Sequence, residues 1–153
     1  MSIKNTIVLV VLIFSLLGFP TKDEAVELEI INLPYTMQAD YFSNFFGVDS
    51  RIVNKVLECE SSYDHTAKGD GNRSKGIAQF QEPTWKWMEA KYYKEYGEHL
   101  DYKSSHDQIK LTAYAISKGW GNNWTSYVAI KKGGTYSFYS NQLKKHFTVY
   151  CKL

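Results

Sequence analysis

Between Asp49 and Ser61 the apolar residues Ile52, Val53, Val56 and Leu57 recur at a spacing that a helix gathers onto one face, and that face ends on a carboxylate. Asp49 or Ser50 can cap the helix, predicted over 50–61. Glu60 lies i+7 from Val53, i+4 from Val56 and i+3 from Leu57, so it belongs to the apolar face. By the same geometry Glu58 falls beside Arg51, Asn54 and Lys55, on a polar face with cations at hand. Glu58 is thus an ordinary solvated acid and Glu60 is not. Apolar surroundings disfavour a charged carboxylate and raise its pKa, and the negative end of the helix dipole pushes the same way. A glutamate poised in this way is what a general acid needs to protonate a glycosidic oxygen. The plainer alternative is a glutamate at the rim of the core, reaching out to water.

The helical pattern continues along the chain from about Tyr41. After 50–61 comes a polar loop over 62–75, rich in Asp, Gly, Asn and Ser, and then a short apolar stretch over 76–80. Pro83 or Thr84 opens a second helix to about Tyr96, with Pro tolerated in the first turn. A third begins near Ser105 as N-cap, carries Ile109, Thr112, Ala113 and Ile116 on one face, and stops at Gly119. Asn122 or Asn123 can cap a fourth to about Lys132, which Gly133-Gly134 breaks, and residues 136–145 offer a fifth. Residues 23–40 are mixed: Val26-Glu27-Leu28-Glu29-Ile30 fits a strand, a helix or a linker. The 153 residues suffice for one domain and not two. The expectation is a small all-α domain over 41–153, with room for a minor β hairpin, and 23–40 as a linker or N-terminal extension.

Residues 7–19 (IVLVVLIFSLLGF) are interrupted only by Ser15 and Gly18, follow Lys4 and end at Pro20. Spanning a bilayer takes about 20 apolar residues, so residues 1–22 are read as a signal peptide or N-terminal anchor; a core helix is the competing structural reading. No A-x-A triplet marks a cleavage site. Export to periplasm, cell envelope or medium fits the two cysteines, Cys59 and Cys151, which form no C-x-x-C motif. An even count in an exported chain suggests a disulfide; the alternative is two buried free thiols. The bridge closes a loop of about 90 residues, worth roughly 4–5 kcal/mol by chain-entropy arithmetic.

Beyond residue 22 the chain carries 16 basic against 16 acidic residues. This balance argues against a nucleic-acid partner, which needs a basic excess, and against membrane contact except through the N-terminal segment. His65, His99, His106 and His146 lack the i,i+4 pairing and adjacent Glu of a zincin, and Asp70-Gly71-Asn72 reads as a turn without calcium-loop spacing. There is no Walker loop, no G-x-G-x-x-G and no Gly-x-Ser-x-Gly. No metal and no cofactor are expected.

Glu60-Ser61, followed by Ser74-Lys75-Gly76-Ile77-Ala78-Gln79-Phe80 and then Pro83-Thr84, resembles the lytic transglycosylase catalytic domain of the goose-type lysozyme superfamily. That family has a Glu-Ser pair at a helix end, a loop, a Gly-hydrophobic-Met-Gln segment and a Pro-x-Thr-like helix start. Its third element, Ala-Tyr-Asn-x-Gly, has a counterpart in Ala113-Tyr114-Ala115, with Gly119 and Trp124 following. Asp107-Gln108 and the run over 119–124 are similar to a small exported subgroup, and the likeness covers about residues 44 to 126. Ala78 stands where the family has Met, Gln81 where a second apolar cleft residue is common, and Ala115 where it has Asn.

The resemblance implies a mainly α, lysozyme-like single domain of about five to six helices, acting as a monomer on peptidoglycan at the MurNAc–GlcNAc β-1,4 bond. By position, Glu60 resembles the sole acid/base and Ser61 a supporting residue. Ser74 and Gln79 resemble cleft residues that bond the sugar or its N-acetyl group, Gln81 adds to the substrate cleft, and Tyr114 resembles a tyrosine reaching toward the catalytic glutamate. One carboxyl group suffices if the MurNAc C6 hydroxyl is the nucleophile, giving a 1,6-anhydro product. Hydrolysis, with Asp64 or Asp70 assisting, is the second reading. A non-catalytic glycan-binding envelope protein is the third. Trp85, Trp87, Trp120 and Trp124 are candidate sugar-packing surfaces, although Trp85 and Trp87, two apart on one helix, cannot both face one groove.

Overall fold

The computed structural model describes residues 22–141 and 144–153. The apolar run over 7–19, read as a signal peptide or anchor, lies outside the described residues. The chain divides into two units, Met1–Leu33 and Pro34–Leu153. In the first, helix α1 (Lys22–Ile31) is followed by Asn32, whose Nδ2 donates to Leu28 O at 2.6 Å.

The second unit is mainly α, with minor β structure. It runs α2 (Tyr35–Phe46), α3 (Ser50–Ser61), β1 (Lys68–Gly69), β2 (Ser74–Lys75), β3 (Phe80–Gln81), α4 (Glu82–Tyr96), α5 (Ser105–Ser117), a 3-10 turn (Gly121–Asn123), α6 (Thr125–Lys131), β4 (Thr135–Ser140) and β5 (Lys145–Tyr150). α5 is the centre: an unbroken run from Gln108 to Ile116 is buried, and α2, α3 and α4 all pack on it. The predicted apolar face of α3 is real, with Val53, Val56 and Leu57 fully buried, and Asp49 caps it by accepting from Arg51 N at 3.0 Å. The cap of α5 is Ser104, one residue ahead of the expected Ser105, with its Oγ accepting from Asp107 N at 3.2 Å.

Two stretches differ from the sequence reading, and a third that it left open is decided. The undecided stretch over 23–40 holds α1 and the start of α2. The buried face of α2 is Gln38, Ala39, Phe42 and Ser43, half of it polar, so hydrophobic periodicity hides it. Asn123 does not cap α6; its Nδ2 donates back to Trp120 O at 2.7 Å, inside the 3-10 turn. Within the stretch expected to be a fifth helix, Tyr136–Ser140 and Lys145 lie in strands. β4 and β5 form an antiparallel hairpin in register Tyr136↔Val149, Phe138↔Phe147 and Ser140↔Lys145. Its side chains alternate between half-buried (Tyr136, Phe138, Ser140) and exposed (Thr135, Ser137, Tyr139), a period of two carried by aromatic and hydroxyl residues.

The expected bridge is present: Cys59 and Cys151 are disulfide-bonded across 92 residues. It joins the last turn of α3 to the residue following β5. Among the described residues no helix is long and apolar enough to cross a membrane.

The segment over 76–80 is fixed from below by α5. Gln108 is buried; its Oε1 accepts from Ala78 N at 3.1 Å and its Nε2 donates to Tyr102 O at 2.8 Å. Gly76 lies directly over this amide at φ +77, and a Cβ there would overlap Gln108 Oε1 at 2.6 Å. Gly76→Ala therefore meets both a left-handed backbone and a side chain held at both ends. It is expected to cost at least about 2 kcal/mol in urea unfolding, against under about 0.5 kcal/mol for an alanine placed on an exposed surface such as that at Lys86.

Candidate active site

α3 delivers Glu60 to its last turn, and the next residue pins that turn to the segment Gln108 supports. Ser61 Oγ donates to Ile77 O at 2.7 Å and to Leu57 O at 3.3 Å. On the far side, the first turn of α6 brings buried Ser126, whose Oγ donates to Glu60 Oε1 at 2.5 Å. Glu58 behaves as its helical position predicts, exposed and paired with Lys55 at 3.0 Å.

Burial raises the pKa of Glu60 above its ordinary 4.5. The Ser126 hydroxyl and backbone N–H oppose this by stabilising the charged form, and the negative charge of Asp70 adds a smaller upward push. The neutral acid therefore persists to higher pH than in an exposed glutamate.

Glu60 opens into a cleft of ≈380 Å³. Ser74, Gln79 and Gln81 line the same cleft, so these predicted site residues are brought together, and Asp70 joins them. Ser74 and Gln81 are cross-strand partners on β2 and β3, and both bond Asp70 Oδ2, from Ser74 Oγ at 2.6 Å and Gln81 Nε2 at 3.3 Å. Gln79 takes a left-handed φ of +51. Its Nε2 donates to Gly76 O at 2.8 Å and Ala67 O at 3.2 Å, and its Oε1 occupies the space that a Cβ on Gly69 would fill. Part of its polar capacity is thus used in holding the loop.

Two candidates lie elsewhere. Asp64 accepts from Thr66 N and Oγ1, both at 2.7 Å, in an exposed turn, and these bonds hold its carboxyl below the usual range. It does not line the cleft. Tyr114 does not reach Glu60 either: its hydroxyl donates to Glu95 Oε2 at 2.9 Å, and its ring packs edge-on against Tyr92 and Trp120. Burial, with Glu95 beside it, pushes its pKa up to about 12. The reason is angular. Tyr114 follows Gln108 by six residues, which places it about 120° around α5 from the face that supports the cleft.

Of the four tryptophans, Trp124 lines the cleft, with its indole Nε1 donating to Ala78 O at 2.8 Å. Trp85 is buried edge-on against Phe80, while Trp87 is exposed and packs on Trp120, so Trp85 and Trp87 do point to different sides. Sequence reasoning missed Ser126, which carries no signal beyond a hydroxyl near a helix start. It also missed Phe138 and Phe147, which line the cleft from the hairpin and which the alternation in β4 could have exposed. Among the described residues no group of three or more His, Cys, Asp or Glu side chains converges on a metal position.

Comparison with protein-family models, with curated proteins and with solved structures finds no match.

A raised carboxyl pKa carries a stability consequence. The unfolded chain ionises Glu60 from its ordinary 4.5, the folded one only at higher pH. The stabilisation from the neutral form is complete below the unfolded value and is lost as pH rises through the folded one. Glu60→Gln has no such loss. Its urea midpoint is expected to gain on wild type between about pH 4 and about pH 8; a constant difference over that range would show that Glu60 is not perturbed.

Proposed function

We propose that the cleft cleaves the β-1,4-linked glycan strand of peptidoglycan, with Glu60 as the proton donor and acceptor, in the manner of the lytic transglycosylases that its motifs resemble. The observation that carries this reading is a desolvated carboxyl group sharing one cleft with Ser74, Gln79 and Gln81. With Oε1 held by Ser126, Oε2 is the oxygen left to handle the substrate proton. The neutral acid gives its proton to the glycosidic oxygen as the C1–O bond breaks. The resulting carboxylate then takes the proton of the MurNAc C6 hydroxyl as O6 attacks C1, which closes the 1,6-anhydro ring and returns Glu60 to its acid form. Intramolecular attack needs no positioned water and draws on a high effective molarity. A disulfide-bonded chain fits a non-reducing compartment, in keeping with action at the cell envelope.

One observation favours hydrolysis as a second reading: Asp70 lines the same cleft and acts electrostatically on Glu60. A second carboxylate on the far side of a sugar ring can activate water. Asp64, held in its own turn, is not a candidate for that role.

Glu60→Gln keeps the shape and removes the titrating proton. It is expected to reduce the clearing of purified cell walls by at least about a hundredfold. Equal clearing by both proteins would end the enzymatic reading in favour of a glycan-binding one. Mass spectrometry of the digest separates the two chemistries. Anhydro ends, each one water lighter than a reducing end, are expected; reducing ends would assign the reaction to hydrolysis with Asp70.

A further inference from the structure

The C-terminal hairpin carries a row of aromatic rings that the core does not use. Phe138 and Phe147 sit directly opposite each other across the two strands, their ring centroids 5.7 Å apart and their planes within 19° of parallel. Tyr136 extends the row, 5.6 Å from Phe138 at 20°. All three are half-buried. Phe138, Phe147 and the neighbouring Ser140 line the Glu60 cleft. The cleft therefore has two unlike walls. One is polar, with Ser74 and Gln81 arranged around Asp70; the other is aromatic.

A pyranose ring has the matching asymmetry, with hydroxyls around its rim and apolar C–H groups on its faces. Rings kept half-exposed beside a polar wall suit that surface better than a core, where they would be fully buried.

The attachment of the hairpin points the same way. An isolated two-stranded ribbon is marginal in water, and this one is held by α6 and by the disulfide. Cys59 immediately precedes Glu60, and Cys151 immediately follows the last residue of β5. The bridge thus couples the aromatic wall to the residue adjoining the acid.

We propose that this hairpin is the sugar-packing wall of the groove, that Phe138 and Phe147 lie against the C–H face of a pyranose ring of the bound strand, and that the Cys59–Cys151 bridge sets the spacing between that wall and Glu60. The inference rests on the glycan reading of the cleft and adds substrate-positioning residues to it.

The test uses Glu60→Gln, chosen to slow turnover, titrated with a hexamer of β-1,4-linked N-acetylglucosamine and followed by NMR. The Phe138 and Phe147 ring resonances are expected to shift with the titration. Adding Phe138→Leu and Phe147→Leu, which keeps the hairpin face apolar, is expected to weaken Kd about tenfold. In the wild-type background the same pair is expected to raise KM more than it lowers kcat. Cys59→Ser with Cys151→Ser should weaken hexamer binding in the same direction.

If the hexamer shifts Ser74 and Gln81 while Phe138 and Phe147 stay put, or if the leucine pair binds as tightly as its parent, the aromatic wall is overturned. Absence of any hexamer binding overturns it too. Unchanged binding in the double serine variant removes the role of the bridge. Should the rings respond to the hexamer while wild type cuts no cell wall, the wall stands and the cleavage reading falls. The ring shifts need no hairpin substitution, so a misfolded variant cannot decide the matter.

Discussion

The geometry of the cleft depends on one buried amide. Gln108 projects from the central helix and bonds the backbone of two separate segments, at Ala78 and Tyr102, inside the core. A buried amide left unbonded costs more than a bonded one gains, so these contacts act as a register lock. Gly76 is part of the same device, because only a residue without a Cβ can lie over the amide. From that fixed segment the rest is hung. Ser61 ties the end of α3 to Ile77, and Trp124 ties the start of α6 to Ala78. Glu60 and Ser126 are placed on facing sides as a consequence.

The electrostatics of Glu60 set two effects against each other. Loss of water favours the neutral acid, while the Ser126 hydroxyl and N–H favour the carboxylate. Desolvation is the larger, so the pKa stays raised, but Ser126 keeps the charged state accessible. A group that must give up a proton and then take it back needs both states within reach. On the proposed function, the folded state gives up some stability as pH rises in order to hold such a group, a common relation between active sites and their scaffolds.

The bridge gives the hairpin a place in this frame. Without it β4 and β5 would be held chiefly by the short helix α6; with it their end is fastened beside the acid. Stabilisation by closing a long loop and alignment of a cleft wall are then consequences of the same bond.

The sequence by itself determined the helical character of the domain, the apolar face of α3 with an N-cap at Asp49 or Ser50, and the odd position of Glu60 on that face. Those properties are local: a 3.6-residue period and a side-chain oxygen near a helix start can be read from one stretch of chain. Local reading stopped where the deciding contacts lie far apart in sequence. The polar buried face of α2 makes sense only against α5, and the last stretch became a hairpin because its period of two found a partner strand and the adjoining α6 to pack on. The loop that brings Asp70 to Ser74 and Gln81, the pairing of Tyr114 with Glu95 in place of Glu60, and the arrival of Ser126 at Glu60 from 66 residues away were decided only by the tertiary structure. Periodicity tells which face of an element is buried, whereas the identity of the group it meets is settled by how separate elements pack together.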